Sequence, residues 1–496
     1  MSHAIFACKY GGWRTQRFVS SILTSVLVLV ASPLCFAIDL VSTNALGQQA
    51  LNTGNPSSIA ISNDGNTVLF LGEDTTLVPG TRGNFYVKRM STGNIVPVLK
   101  RPDGLPITRG FTSLFAYMNE PPTRVVFGTI EGDLGPGIGG PGFKILRTEI
   151  GSYQYLPIRG IPGGPAMQFN GFAANSRLDR IYLQTLGPLP VPSNALYQLA
   201  EVSATLPTPP IIHTLRPDGT PSQTGVGGEP EREPNMSASG DGRILAWWDT
   251  NFDVDPKGNE GLVTGQIFIR DTQLGVTRQV RADNGDNLHF TELPSVSDDG
   301  SFVTFWTDSY FTGPCNGDGI YGIDTRTWQR ECISVNTAGE PANSGSYQSD
   351  VSADGNRVVF SSLAQNLGPN FPGLIYLEFG VFVRDRRLGR TVRVDINAQG
   401  IPANGRFQDP FEVTTNRDPR ISKNGRWVIF TSDASNLVPN DTNGHEEDIF
   451  RVDLNRFLPD PSLGAAPLVP VPALSMLASL VLILAMLGFG VWRCGD

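Results

Sequence analysis

The chain is predicted to be all-β, a seven-bladed β-propeller, and three observations point there. A phrase of about ten residues recurs five times, each copy is followed by further strand-like runs, and the spacing of the copies fits seven units. Six or eight blades are the alternatives to that count. Composition agrees: apolar residues make up 40 % and charged residues 17 %, with 55 Gly and 38 Pro. Short strands joined by Gly and Pro turns give such a balance, whereas long helices need more Ala, Glu, Lys and Leu. The 496 residues would suit two or three ordinary domains, but a closed repeat absorbs that length as one.

The phrase runs over Ile61–Phe70, Ser237–Trp247, Val296–Phe305, Val351–Phe360 and Ile421–Phe430. Each copy is a strand, an Asp-Gly or Asn-Gly turn and a second strand, a hairpin whose turn tolerates positive φ. A third strand follows, as in Ile267–Asp271, Val381–Asp385 and Ile449–Asp453, and then a fourth, as in Thr391–Asp395. Four antiparallel strands make a blade, and a blade buries its faces only by stacking on neighbours.

Gly242 and Gly300 are 58 residues apart and Gly300 and Gly355 are 55 apart, while Gly65 lies 177 residues before Gly242. Two worn blades therefore belong between the first two copies. Their strands are Arg124–Gly128 with Phe143–Arg147, and Arg180–Gln184 with Ala195–Leu199. The last unit ends near Leu454 with three strands, and Ile38–Asn44 reads as its missing fourth. That strand is expected to close the ring and remove two exposed sheet edges. The phrase, with its Phe-x-x-Asp third strand, resembles TolB-like propeller repeats. The resemblance implies the fold and leaves function open, since propellers host many.

The two ends read as addresses. Lys9, Arg14 and Arg17 precede an apolar run, Phe18–Val30, and a small-residue break at Ala37, so residues 1–37 read as a secretory signal peptide. The propeller is assigned to 38–458 and a Pro-rich spacer to 459–473, with Pro459, Pro461, Pro467, Pro470 and Pro472. Residues 474–496 follow as a membrane segment: Leu474–Trp492 carries no charge, and at about 1.5 Å per residue a helix of that length crosses one hydrocarbon layer. Val471, Pro472, Ala473, Leu474 and Ser475, then the apolar run and Arg493, resemble the IPTL-CTERM sorting signal, similar in layout to PEP-CTERM signals of Gram-negative bacteria. The resemblance implies export, at least transient retention at the periplasmic or extracellular face of the membrane, and processing by a dedicated sorting enzyme. Its usual Glu-Trp-Gly continuation and basic cluster are replaced here by Met476, Leu477 and Ala478 and by Arg493 alone.

Cys315 and Cys332 are the two cysteines inside the domain, and an exported protein favours their disulfide. A hairpin centred near Thr327 sets Cys332 opposite Tyr321, so the loop carrying Cys315 must fold back. Asp441, Asn443 and Asp448 place oxygen ligands around Gly444 and are candidate calcium ligands; a polar inter-strand loop is the alternative. Asp64, Asp241, Asp299 and Asp354 recur as turn residues, one per blade, rather than as an acid–base pair. His213, His289 and His445 are scattered, and no Gly-x-Ser-x-Gly elbow occurs. The net charge of −9 and a pI near 5.1 argue against nucleic acid as a partner.

Two functions stay open. The first is a non-catalytic, monomeric scaffold at the cell envelope, binding protein, peptide or glycan at a rim or in the funnel. The second is a propeller hydrolase or lyase acting on extracellular glycans, which would require convergent carboxylates, or histidine with arginine, on the axis.

Overall fold

The computed structural model describes residues 38–458, apart from 52, 54–58, 82, 102, 104–115, 130–133, 135–143, 159–167, 187–196, 207, 224–235, 250–265, 282–290, 309–314, 316, 369–378 and 405–417. The signal peptide, the Pro-rich spacer, the membrane segment and its sorting motif lie outside the described residues. No described helix is long and apolar enough to cross a membrane.

Seven four-stranded antiparallel sheets follow one another along the chain. After β1 (Ile38–Leu40), blade 1 is β2 (Ile59–Ile61), β3 (Thr67–Gly72), β4 (Asn84–Arg89) and β5 (Ile95–Pro97). Blade 2 is β6 (Ala116–Met118), β7 (Arg124–Thr129), β8 (Lys144–Glu149) and β9 (Leu156–Pro157). Blade 3 is β10 (Gln168–Ala174), β11 (Arg180–Leu186), β12 (Tyr197–Ser203) and β13 (Ile211–Ile212). Blade 4 is β14 (Met236–Ala238), β15 (Ile244–Asp249), β16 (Gln266–Asp271) and β17 (Val276–Gln279). Blade 5 is β18 (Thr291–Val296), β19 (Phe302–Thr307), β20 (Gly319–Asp324) and β21 (Arg330–Cys332). Blade 6 is β22 (Ser346–Val351), β23 (Arg357–Ser362), β24 (Gly380–Asp385) and β25 (Arg390–Arg393). Blade 7 is β26 (Arg420–Ile421), β27 (Trp427–Ser432) and β28 (Asp448–Asp453), completed by β1.

The blades stack face to face, so their middle strands are covered on both sides. All six residues of β3 and all six of β23 are buried, and their middle residues, Val68–Leu71 and Val358–Phe360, are apolar without alternation. The core is divided accordingly into seven hydrophobic clusters, each between two neighbouring blades. Leu69 and Phe85 meet Val125 and Phe127 between blades 1 and 2. Val68 and Phe70 meet Ile429 and Ile449 between blades 1 and 7.

The ring closes through β1. Ile38, Asp39 and Leu40 pair with Val452, Arg451 and Phe450. Val41 N donates to Ile449 O (2.8 Å), and Arg451 Nε donates to Asp39 (3.0 Å). Lys88 of blade 1 reaches across the seam and donates to Val41 O (2.8 Å) and Thr43 O (2.7 Å). Without a carboxylate partner in these bonds, burial lowers the Lys88 ammonium to about 8, and Arg451 nearby adds to the effect.

Candidate functional site

Each full copy of the repeat is stitched by its own polar side chains. Ser62 Oγ donates to Asp64 Oδ1 (2.5 Å) and accepts from Thr67 N (2.9 Å), while Asp64 Oδ1 accepts from Asn66 N (2.9 Å). Ser239 with Asp241, Ser297 with Asp299, Ser352 with Asp354 and Ser422 with Asn424 repeat the arrangement. Burial opposes the charge on Asp64, yet the Ser62 hydroxyl and the Asn66 N–H hold its carboxyl below the ordinary value. The recurring aspartates thus work inside turns. In the worn blades an asparagine replaces the serine: Asn119 Oδ1 accepts from Arg124 N (2.6 Å) and Asn175 Oδ1 from Arg180 N (3.1 Å). The same turn is closed without the Asp-Gly signature.

Gly65 answers two demands. Its φ is +70°, and a Cβ there would overlap the indole of Trp427 from blade 7. Trp427 accordingly packs between blades. Trp247 does too, fully buried and stacked on Phe268.

The residue between the serine and the aspartate has a different task. Asn63, Gly240, Asp298, Ala353 and Lys423 hold this place, with Glu120 and Ser176 in the worn blades. Lys423 Nζ lies 2.9 Å from Asp298 Oδ1, and Ser176 Oγ donates to the same carboxylate (2.6 Å). These residues belong to blades 7, 5 and 3. No two of those blades are neighbours, so the bonds cross the axis and close the channel at the rim of the Asp-Gly turns. Gly240 leaves the room for it, because a Cβ there would stand 2.8 Å from Asp298 Cγ. Glu120 Oε1 accepts from Asn63 N (2.7 Å). Burial opposes the Lys423 ammonium, but Asp298, Asp350 and Glu120 hold it above its ordinary value. Burial raises Glu120, and Asp64 and Asp298 add to the rise.

Behind this lid lies an axial cavity of about 220 Å³, walled by the inner strands of all seven blades. Ile59, Met118, Met236 and Ile421 give it apolar surface, and Tyr117, Gln348, Asp350 and Arg420 give it polar groups. The inner strands β10, β18 and β22 each carry a register shift. Leu293 and Gln348 stand there with φ of +56° and +41°, conformations that cost energy for side chains with a Cβ and that gather at working surfaces. Gln348 Nε2 donates to Asp418 Oδ1 (2.7 Å).

The three oxygens read as calcium ligands converge, and they converge on an amide. Gln49 Nε2 lies 2.6 Å from Asp448 Oδ2, 2.7 Å from Asn443 Oδ1 and 3.3 Å from Asp441 Oδ1. Gln49 Oε1 accepts from Thr442 N (2.7 Å). Among the described residues no group of three or more His, Cys, Asp or Glu could hold a metal ion. Gln49 bridges to Thr43 after the closing strand, where Pro221, Pro341 and Pro402 occupy the matching bridges. A glutamine at a recurring proline was the signal available in the sequence. The loop therefore latches the closing segment to blade 7.

Cys315 and Cys332 form a disulfide with their Cα atoms 5.5 Å apart. Cys332 pairs with Tyr321 in the ladder, and the Tyr321 hydroxyl donates to Cys315 O (3.1 Å), so Cys315 is held against β20. His213 sits buried in blade 3 against Glu201 (2.9 Å), and exposed His445 contacts Asp433 O (3.0 Å). Neither lines the axial cavity, and His289 lies outside the described residues.

No known family matches the chain, and no curated protein does. Solved structures align with the chain at low identity. An oligogalacturonate lyase from Vibrio parahaemolyticus is 13 % identical with a TM-score of 0.46, over 85 % of this chain and 92 % of that one. TolB from Acinetobacter baumannii is 12 % identical with a TM-score of 0.34, over 80 % and 78 %. A chain of the Kuenenia stuttgartiensis hydrazine synthase is 11 % identical with a TM-score of 0.38, over 77 % and 93 %.

Proposed function

We propose that this chain is an exported, membrane-tethered scaffold whose axial cavity binds an extended polypeptide segment. Residues 1–37 direct export, and 474–496 hold the propeller at the envelope while Val471–Ser475 are presented to a sorting enzyme. The observation that carries the reading is the crossing of the axis by Lys423, Asp298 and Ser176. A channel closed at one mouth is a receptacle, filled from the opposite mouth. A hydrolase or lyase needs an acid and a base free to exchange protons with substrate. Asp298 is instead engaged by Lys423 and Ser176, and Asp350 by Ser295 Oγ (3.0 Å) and Ile421 N (2.9 Å). That engagement favours the scaffold.

The test is crosslinking from the cavity wall. A photo-reactive residue at Ser237 of the detergent-solubilised full chain is expected to label polypeptide in envelope extract. The cavity-filling Ala238→Phe variant should lose the labelling while melting unchanged. Equal labelling by the filled variant would place binding elsewhere and reject the reading.

A further inference from the structure

We infer that the polypeptide entering the cavity presents a positive charge on an apolar stem, a lysine or arginine side chain. This rests on the receptacle reading above and names the chemistry of its ligand. Two carboxylates line the cavity, Glu120 and Asp350, and two cations, Lys423 and Arg420, while Asp298 stands in the lid beside Lys423. Lys423 is matched to Asp298 at 2.9 Å, and Arg420 is itself engaged.

Glu120 and Asp350 have no cation within ion-pair distance among the described residues. Glu120 accepts a single hydrogen bond, from Asn63 N. Asp350 accepts two, both from neutral donors. Carboxylates in a confined, partly desolvated space favour a charged donor over water, because the bond is charge-assisted and the local dielectric is low. An incoming ammonium or guanidinium supplies that donor.

The walls select what must accompany the charge. Ile59, Ile61, Met118, Met236, Val296 and Ile421 line the cavity. A small hydrated cation leaves these surfaces wet, whereas the methylene stem of lysine or arginine packs on them while its head reaches the carboxylates. About 220 Å³ suits one long side chain with its flanking backbone rather than a folded partner.

Calorimetric titration of the detergent-solubilised full chain tests this with three probes: a capped five-residue peptide with one central lysine, its norleucine counterpart, and spermidine. The lysine peptide is expected to bind at least tenfold more tightly than the norleucine peptide, and added salt should narrow the gap. Glu120→Gln should reduce lysine-peptide binding about tenfold and leave norleucine binding unchanged. The peptide comparison reads the same property on unaltered protein, so it holds even if that variant folds poorly. Spermidine binding without peptide binding would keep the cation chemistry and remove the polypeptide as its source. Equal binding of both peptides would overturn the inference and leave the receptacle reading standing. No saturable binding of any probe at millimolar concentration would also overturn it, with the Ser237 crosslink then deciding the receptacle reading separately.

Discussion

At the scale of single residues, the repeat separates two jobs within four positions. Serine and aspartate close the turn, glycine lets the chain reverse and the preceding blade approach, and the residue between serine and aspartate faces the axis. The first job was legible in the sequence because turn chemistry is local. The second was not, because Asp298 and Lys423 meet only when the ring forms. The distinction is measurable at glycine. Gly65→Ala meets both the left-handed backbone and the Trp427 indole, so it should cost about 2–4 kcal/mol. Gly389→Ala has a φ of +62° but nothing within 4 Å, so it should cost only about 1 kcal/mol. Urea unfolding of both variants checks this, and equal losses would mean that the inter-blade contact contributes nothing.

At the scale of elements, the closing segment is the distinctive one. Asp448, at the start of β28, accepts from Ser42 Oγ (2.5 Å) and Gln49 Nε2 (2.6 Å). Burial nevertheless pushes its carboxyl up to about 6, and Asp441 adds to the rise. The folded value is above the unfolded one, so the folded state holds this proton more tightly. The contribution is fully present below about pH 4 and is lost as pH rises through about 6. Relative to Asp448→Asn, the native chain should therefore lose about 2–3 kcal/mol of stability between pH 4 and 7. Denaturant titrations of both proteins across that range test it; a difference independent of pH would contradict it. The alternation of oxygens at 441, 443 and 448 showed in the sequence that these side chains gather. It could not show what they gather around, since Gln49 lies 392 residues from Asp441 along the chain.

At the scale of the molecule, stability depends on closure. Each of the seven apolar clusters joins two blades, so an open ring would expose one interface and two sheet edges together. Deleting residues 38–44 removes the β1 pairing, buries neither Ile38 nor Val41, and leaves Lys88 without its carbonyl acceptors. The melting temperature should fall by about 10 °C. Scanning calorimetry decides the point, and an unchanged transition would refute the role of β1 as the clasp.

The blade count, the five strong hairpins, the two worn blades and the detached closing strand were all determined by the sequence, because turn residues and apolar runs act over a few positions and repeat at a fixed period. The axial lid, the latch at Gln49 and the gathering of Glu120 and Asp350 at the cavity were decided only by the tertiary structure. Each brings together residues from blades that are distant along the chain, and such contacts leave no period to read. The seven-bladed ring was therefore visible in one dimension, while the chemistry of its centre exists only once the ring is closed.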